Sequence, residues 1–269
     1  MRRGEVQKGS ATALVTGASS GIGRAFAARL AGLGYNIVAV SDNAEHLATA
    51  VAELQAEHPD VTVTAHAADL ATEHAGERLY EWTREQGIEV EVLVNDAGIF
   101  SYCDLLDTPI ERIRQTVLLH NMTIAVTCRL FGESMAGRGH GYILNMSSYS
   151  LWMPFPGLGL YSASKAFVRN FSVSFAKEVC ECGVKVTALC PAGVSTDLYG
   201  LSKSLQKFGV RTGILITPDS CARRGLRALW RGRRSSVPGW WNRLGIPFCL
   251  YMPMFLTRLL RRYTKKFQK

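Results

Sequence analysis

A tyrosine and a lysine four residues apart stand in the run Tyr161-Ser162-Ala163-Ser164-Lys165, at the start of a stretch with helical patterning. That spacing puts both side chains on one helix face, so the ammonium can favour phenolate and lower a pKa that is ordinarily about 10. A tyrosine tuned in this way can give a proton to a carbonyl as hydride arrives, or take one from an alcohol. Ser148 ends Asn145-Met146-Ser147-Ser148, upstream of the pair, and its hydroxyl can steady the carbonyl oxygen. Taken singly, a Tyr/Lys pair is usually a solvated surface pair and Ser-Ser after a strand is usually a turn. The case for chemistry comes from their combination with a third element near the start of the chain.

That element is Thr16-Gly17-Ala18-Ser19-Ser20-Gly21-Ile22-Gly23, which follows a β-branched run and precedes an amphipathic stretch beginning near Arg24. Glycines in such a turn let a pyrophosphate approach backbone amides at a helix N-terminus, where the dipole favours negative charge. Gly17, Ser19, Ser20, Gly21, Ile22 and Gly23 are therefore candidates for holding a dinucleotide, with a merely structural turn as the alternative. The second β-branched run, Ile37 to Val40, should end beside the adenosine ribose, and Asp42 follows it. A carboxylate there accepts from both ribose hydroxyls and repels a 2′-phosphate, which favours NAD(H) and leaves NADP(H) as the alternative. Asp42 as a simple cap of the following helix competes with that reading.

The elements that must position these groups alternate. Ala13 to Thr16, Ile37 to Val40, Val61 to Ala65, Val90 to Val94, Tyr142 to Asn145 and Val184 to Leu189 have strand character, with helical segments between them. Short apolar strands separated by helices imply parallel βαβ units whose sheet is covered on both faces. The expected fold is one doubly wound α/β domain of Rossmann type, with ligands at the carboxyl ends of the strands. Thr108-Pro109 and Thr217-Pro218 each place a hydroxyl before a proline, the signature of a capped helix start. The domain is expected over 1–239, with a cofactor half at 11–120 and a catalytic and substrate half at 121–239. Residues 240–269 form a C-terminal extension.

Residues 11–197 resemble the short-chain dehydrogenase/reductase family, and loosely its hydroxysteroid dehydrogenase and long-chain 3-oxoacyl-CoA reductase members. Thr16 to Gly23 is similar to the family's TGxxxGxG turn, Asp69-Leu70 to its adenine-contacting Asp segment, and Asn95-Asp96-Ala97-Gly98 to its NNAG. The resemblance implies a catalytic tetrad of Asn121, Ser148, Tyr161 and Lys165. It also implies that Lys165 holds the nicotinamide ribose and that Asn121 anchors a proton-passing water. Asp69, Leu70, Asn95, Ala97, Gly98 and Tyr161 join the expected cofactor contacts. So do Pro191, Gly193, Val194 and Thr196, from a segment similar to PGxVxT whose threonine meets the carboxamide. Asp96 replaces the family's second Asn, and Ala192 replaces a Gly. Beyond Thr196 lies a variable substrate lid. Tyr149, Trp152, Met153, Phe155, Leu158 and Tyr199 suit a large hydrophobic alcohol or ketone, with core or oligomer packing as the alternative for each. The expected substrate is a steroid or bile acid, with a 3-oxoacyl thioester as the alternative.

With 269 residues and 47% hydrophobic composition the chain can bury a full core. Its seven cysteines lack the paired spacing of a zinc site, so no metal is expected. No apolar leader and no run long enough to span a bilayer is evident, and the expected location is cytoplasmic, with peripheral attachment to a membrane as a further expectation. The net charge of +9 is concentrated at the end: residues 220–269 hold 13 Lys or Arg and no Asp or Glu, leaving −4 for the rest. An aromatic and aliphatic stretch, Trp240-Trp241 to Leu256, precedes Arg258, Arg261, Arg262, Lys265 and Lys266. Such a segment suits peripheral contact with anionic lipid, against packing over the pocket or in a homo-oligomer (dimer or tetramer). Nucleic acid is not an expected partner, because no binding module accompanies the charge. A dinucleotide-binding sensor or membrane-associated scaffold is the alternative of another class, which the intact tetrad argues against.

Overall fold

The β-branched runs become a single parallel sheet in the computed structural model, which describes residues 4, 6–196, 198, 202–251, 253 and 257. Its strands are β1 (Thr12–Thr16), β2 (Asn36–Ser41), β3 (Val63–Ala67), β4 (Val90–Asn95), β5 (Gly141–Met146), β6 (Val184–Leu189) and β7 (Ser235–Ser236), in spatial order β3-β2-β1-β4-β5-β6-β7. Every pairing is parallel. The described α-helices are α1 (Gly21–Gly32), α2 (Ala44–Glu57), α3 (Ala75–Glu85), α4 (Ile110–Val117), α5 (Thr123–Arg138), α6 (Gly159–Glu178), α7 (Lys203–Arg211), α8 (Pro218–Trp230) and α9 (Trp240–Leu250).

Alternation along each strand sends successive side chains to opposite faces. Ala13 and Val15 of β1 join Phe26 and Leu30 of α1 and Leu226 and Leu229 of α8 in one buried layer. Leu14 between them joins Leu79 of α3, Phe131 and Met135 of α5 and Val168 of α6 in the other. The doubly wound architecture expected from the sequence is thus present. The order of the sheet reverses between β1 and β4, and a crevice opens there at the carboxyl ends of the strands.

Local details differ from expectation. The third strand starts at Val63 rather than Val61, because Ile37 pairs with Val63 and fixes the register. Helix α1 begins at Gly21, three residues before Arg24. Thr217 caps α8 by accepting from Ser220 N, with Pro218 in the first turn. Thr108 does not cap α4: its hydroxyl donates to Asp104 O, and Pro109 occupies the cap position. Cys180 and Cys182 lie past the end of α6 in a 3-10 turn, and all seven cysteines are free. Among the described residues no helix is long and apolar enough to cross a membrane.

The extension starts in contact with the domain. Helix α9 lies against the 3-10 turn Tyr149–Trp152, where Tyr149 Oη comes within 3.8 Å of Cys249 Sγ. The basic end of the extension, including Arg258, Arg261, Arg262, Lys265 and Lys266, lies outside the described residues, as does Tyr199.

Candidate active site

The floor of the crevice is the glycine-rich turn, held by the end of β1. Thr16 Oγ1 accepts from the Asp96 and Ala97 amides, each at 3.0 Å, and so ties the β1 and β4 ends together. Gly17 and Gly21 take left-handed φ of 69° and 58°. A Cβ at Gly23 would run into the Gly17 carbonyl, so the turn closes only on glycine. Ser20 precedes α1 without making a side-chain cap, and of the first-turn amides that of Gly23 is taken by Asp96. Ser19 and Ser41 hydroxyls lie 2.9 Å apart, and Ser41 donates to Asp42 Oδ1 at 3.2 Å. Asp42 does not cap α2: Asn43 does, accepting from His46 N.

The acid/base end is built by β5 and α6. Tyr161 and Lys165 are both buried on the first turns of α6. Lys165 Nζ donates to Met146 O at 3.0 Å and sits 5.8 Å from the centre of the Tyr161 ring. Burial pulls the Lys165 ammonium down to about 8, and the Asp96 carboxylate opposes that fall. Ser148 stands two residues past β5 and caps the 3-10 turn Tyr149–Trp152: its Oγ accepts from Ser150 N, and the neighbouring Ser147 hydroxyl donates to Lys165 O at 2.7 Å. These groups and the glycine turn line one cleft of about 740 Å³, within the usual range for a small-molecule site.

Two further groups, Asp96 and His120, complete the site. His120 is fully buried where the helical chain loosens between α4 and α5. Its Nε2 accepts from Ile99 N at 3.0 Å, so Nδ1 carries the proton and donates to Ser164 Oγ at 2.9 Å. Ser164 in turn donates to Tyr161 O, and the imidazole meets the Tyr161 ring edge-on at 5.8 Å. Burial, then Lys165 and Arg112, hold His120 well below its usual range, so it stays neutral. The Asp96 carboxyl is buried beneath the glycine turn, accepts from Gly23 N, and leaves Oδ1 without a donor. Burial pushes it up to about 7. Over the other side, Ser195 donates to Gln206 of α7 at 3.1 Å, and Val194 bridges Ile216, which fastens the segment after β6.

Comparison with known proteins gives this arrangement a family. The short chain dehydrogenase family pattern matches residues 11–206. The chain belongs to that family. It is 36% identical over 184 residues to a very-long-chain 3-oxoacyl-CoA reductase of Pyricularia oryzae, covering 67% of this chain and 55% of the relative. A 17-beta-hydroxysteroid dehydrogenase type 3 of Danio rerio is 34% identical over 198 residues, covering 71% and 63%. The chain thus spans less than two thirds of either relative's length. Among solved structures, a short-chain dehydrogenase from Sphingobium yanoikuyae in complex with NADPH superposes with a TM-score of 0.76 at 27% identity, covering 87% of this chain and 92% of that one.

Against this family background, the placement of the expected residues is uneven. Ser148, Tyr161, Lys165, Gly17, Ser19, Ser20, Gly21, Ile22, Asp42, Asp69, Leu70, Ala97, Gly98, Pro191, Val194 and Thr196 line the cleft. Gly23, Asn95, Asn121 and Gly193 do not. Gly23 packs beneath the turn, and Gly193 is covered by Leu215. Asn95 is buried behind the site, donating to Asn145 Oδ1 at 2.9 Å. Asn121 stands in the helical turn Leu118–Met122, with Oδ1 buried and unbonded. Of the apolar residues expected around a substrate, Tyr149 and Trp152 are partly buried against Ala188, Cys190 and Val237. Ile99, Leu119, Met146 and Leu198 are apolar residues of the cleft itself. A nicotinamide dinucleotide fits the family residues here. The glycine cradle admits close approach of its phosphates, and Lys165 and Tyr161 stand in the same cleft. When bound, it supplies or accepts the hydride.

Proposed function

We propose that this protein is an NAD(P)-dependent oxidoreductase interconverting a ketone and a secondary alcohol on a bulky apolar molecule. The observation that carries the reading is the buried Tyr161–Lys165 pair, sharing one cleft with Ser148 and the glycine turn. Tyr161 exchanges the proton with the substrate oxygen, Ser148 steadies that oxygen, and Lys165 stabilises charge on the phenol. The substrate class supported best is a long-chain 3-oxoacyl thioester, since the Pyricularia relative carries that name. A 17-oxosteroid is the second reading, favoured by the Danio relative.

Following dinucleotide absorbance with a panel of 3-oxoacyl thioesters, ketosteroids and small ketones tests the reading. Tyr161→Phe should abolish turnover while keeping cofactor affinity, and a wild-type rate in that variant would end it. NAD(H) is the preferred cofactor in this proposal, on the strength of Asp42 at the end of β2 on the cleft wall. Asp42→Arg should narrow or invert the ratio of kcat/KM for NADH over NADPH. A wild type that prefers NADPH would refute the assignment. Exposed Val117, Met122 and Phe167 on α4 to α6 support a homo-oligomer. Peripheral contact of the C-terminal extension with a membrane is part of the same proposal.

A further inference from the structure

Away from the active site, the outer face of α8 and the turn after β7 enclose a second cleft, of about 300 Å³. Arg223, Arg224, Arg227, Arg231, Arg233 and Arg243 line it. Arg223, Arg227 and Arg231 repeat every four residues along one face of α8 and its end, a spacing at which like charges repel. Nothing in the described structure offsets them. Residues 220–269 contain no Asp or Glu, the Asp219 carboxylate of α8 is bonded to Arg29 at 2.6 Å, and no described carboxylate makes an ion pair with any of the six. All six are exposed, so the charge is presented outward, and a second copy docked on this face would set arginine against arginine.

Beside this charge lies an apolar surface. Arg243 reaches the cleft from α9, and its Nε donates to Val237 O. From the next residue onward, Leu244, Phe248 and Tyr251 follow at intervals of four and three, forming one stripe of α9 and its end that is 64%, 63% and 83% exposed. A soluble phosphate ligand accounts for the arginines but gives no role to the stripe. A bilayer accounts for both, with guanidinium forks on headgroup phosphates and the stripe in the acyl boundary. We propose that the arginine cleft of α8 and the α9 stripe form a binding surface for anionic phospholipid bilayers, the cleft taking headgroup phosphates. The proposal rests on the membrane reading above and places the headgroup site upstream of the basic end.

The test uses the full chain and sedimentation with phosphatidylcholine vesicles, with and without phosphatidylglycerol. Wild type should bind the anionic vesicles, and binding should weaken with salt. The triple variant R223Q/R227Q/R231Q, checked for native circular dichroism and unchanged turnover of a water-soluble ketone, should bind about a hundredfold more weakly, at roughly fivefold per arginine lost. Phe248→Ser should weaken binding to the same vesicles without removing its salt dependence. Retention of wild-type affinity by the triple variant would overturn the cleft assignment while leaving contact through the basic end intact. Absence of vesicle binding by wild type would overturn both. A third arm titrates glycerol 3-phosphate and 3′,5′-ADP calorimetrically. Tight binding of either, lost in the triple variant and unaccompanied by vesicle binding, would reassign the cleft to a soluble phosphate ligand.

Discussion

Replacing Asp96 by Asn should stabilise the protein increasingly as pH rises. This chain buries a carboxyl beneath the glycine turn, with one oxygen accepting from Gly23 N and the other meeting no donor. Burial moves its pKa from the ordinary 3.8 to about 7. The folded protein therefore holds that proton about three powers of ten more tightly than the unfolded chain, at about 1.4 kcal/mol per power of ten. The sign follows from proton counting. Between the two pKa values the native state binds the proton and the unfolded chain does not, so stability falls as pH rises. The protonated contribution is complete below 3.8 and gone above about 7, a loss of about 4 kcal/mol.

The wild-type curve alone will not show this slope. His120, held neutral by burial, works in the opposite sense as pH falls below 6.5, because the unfolded chain then takes up a proton the native state refuses. The difference between D96N and wild type isolates Asp96, since His120 is common to both. Urea unfolding at pH 5, 6 and 7 should show the variant gaining about 1.3 kcal/mol on wild type from pH 5 to 6 and about 1 kcal/mol from pH 6 to 7, where the carboxyl is half ionised. A difference that stays constant across that range would refute the reasoning, and would mean that the Asp96 carboxylate finds compensation in solution.

Two further substitutions probe the frame of the site. Gly23→Ala places a methyl group against the Gly17 carbonyl and near Asp96 Oδ2; overpacking of about 1–3 kcal/mol should weaken dinucleotide binding about tenfold or more, measured by fluorescence titration. His120→Leu strands the Ile99 amide and removes the donor to Ser164, which should cost about 2–4 kcal/mol in urea unfolding and depress turnover more than cofactor affinity, because Ser164 bonds Tyr161 O.

The legible parts of this structure are those whose signal is local or periodic. Ala13 to Thr16 and Ile37 to Val40 are strands because β-branched runs bounded by turns have one way to bury both faces, and the Tyr161/Lys165 spacing needs only helical geometry to bring the pair together. The two-residue strand β7 was invisible because Ser235 and Ser236 carry no strand pattern. They are extended because Arg234 O and Ser236 O accept from Ala188 N of β6 and Cys190 N just past its end. His120 was equally silent: one histidine in a helical stretch has no periodicity, and its role appears only when Ile99, Ser164 and Tyr161 converge on it. The aromatic run after Ser148 suggested a substrate wall because it is apolar and adjacent in sequence. The contact of Tyr149 and Trp152 with Val237, far along the chain, could not be read from that adjacency.

The burial of three ionisable groups around one phenol also explains why Lys165 can act on it. A lysine paired directly with a carboxylate would spend its charge there, and the carboxylate would be held below its ordinary range. Asp96 is instead raised, because desolvation outweighs the attraction of Lys165, and the ammonium bonds a carbonyl, Met146 O. Its field is therefore left for the side of the ring that faces it. His120 adds no competing positive charge, since accepting from Ile99 N fixes it in the neutral tautomer. As pH rises past about 7, Asp96 ionises and begins to offset Lys165, while Lys165 itself loses its proton near 8. The charge that supports the phenolate thus declines on the alkaline side through two groups rather than one. In D96N the first of these is removed, and Lys165, no longer supported by the carboxylate, titrates lower. The alkaline limb of kcat in that variant should move to lower pH and approach a single ionisation. An unshifted limb would place the controlling group elsewhere than Lys165.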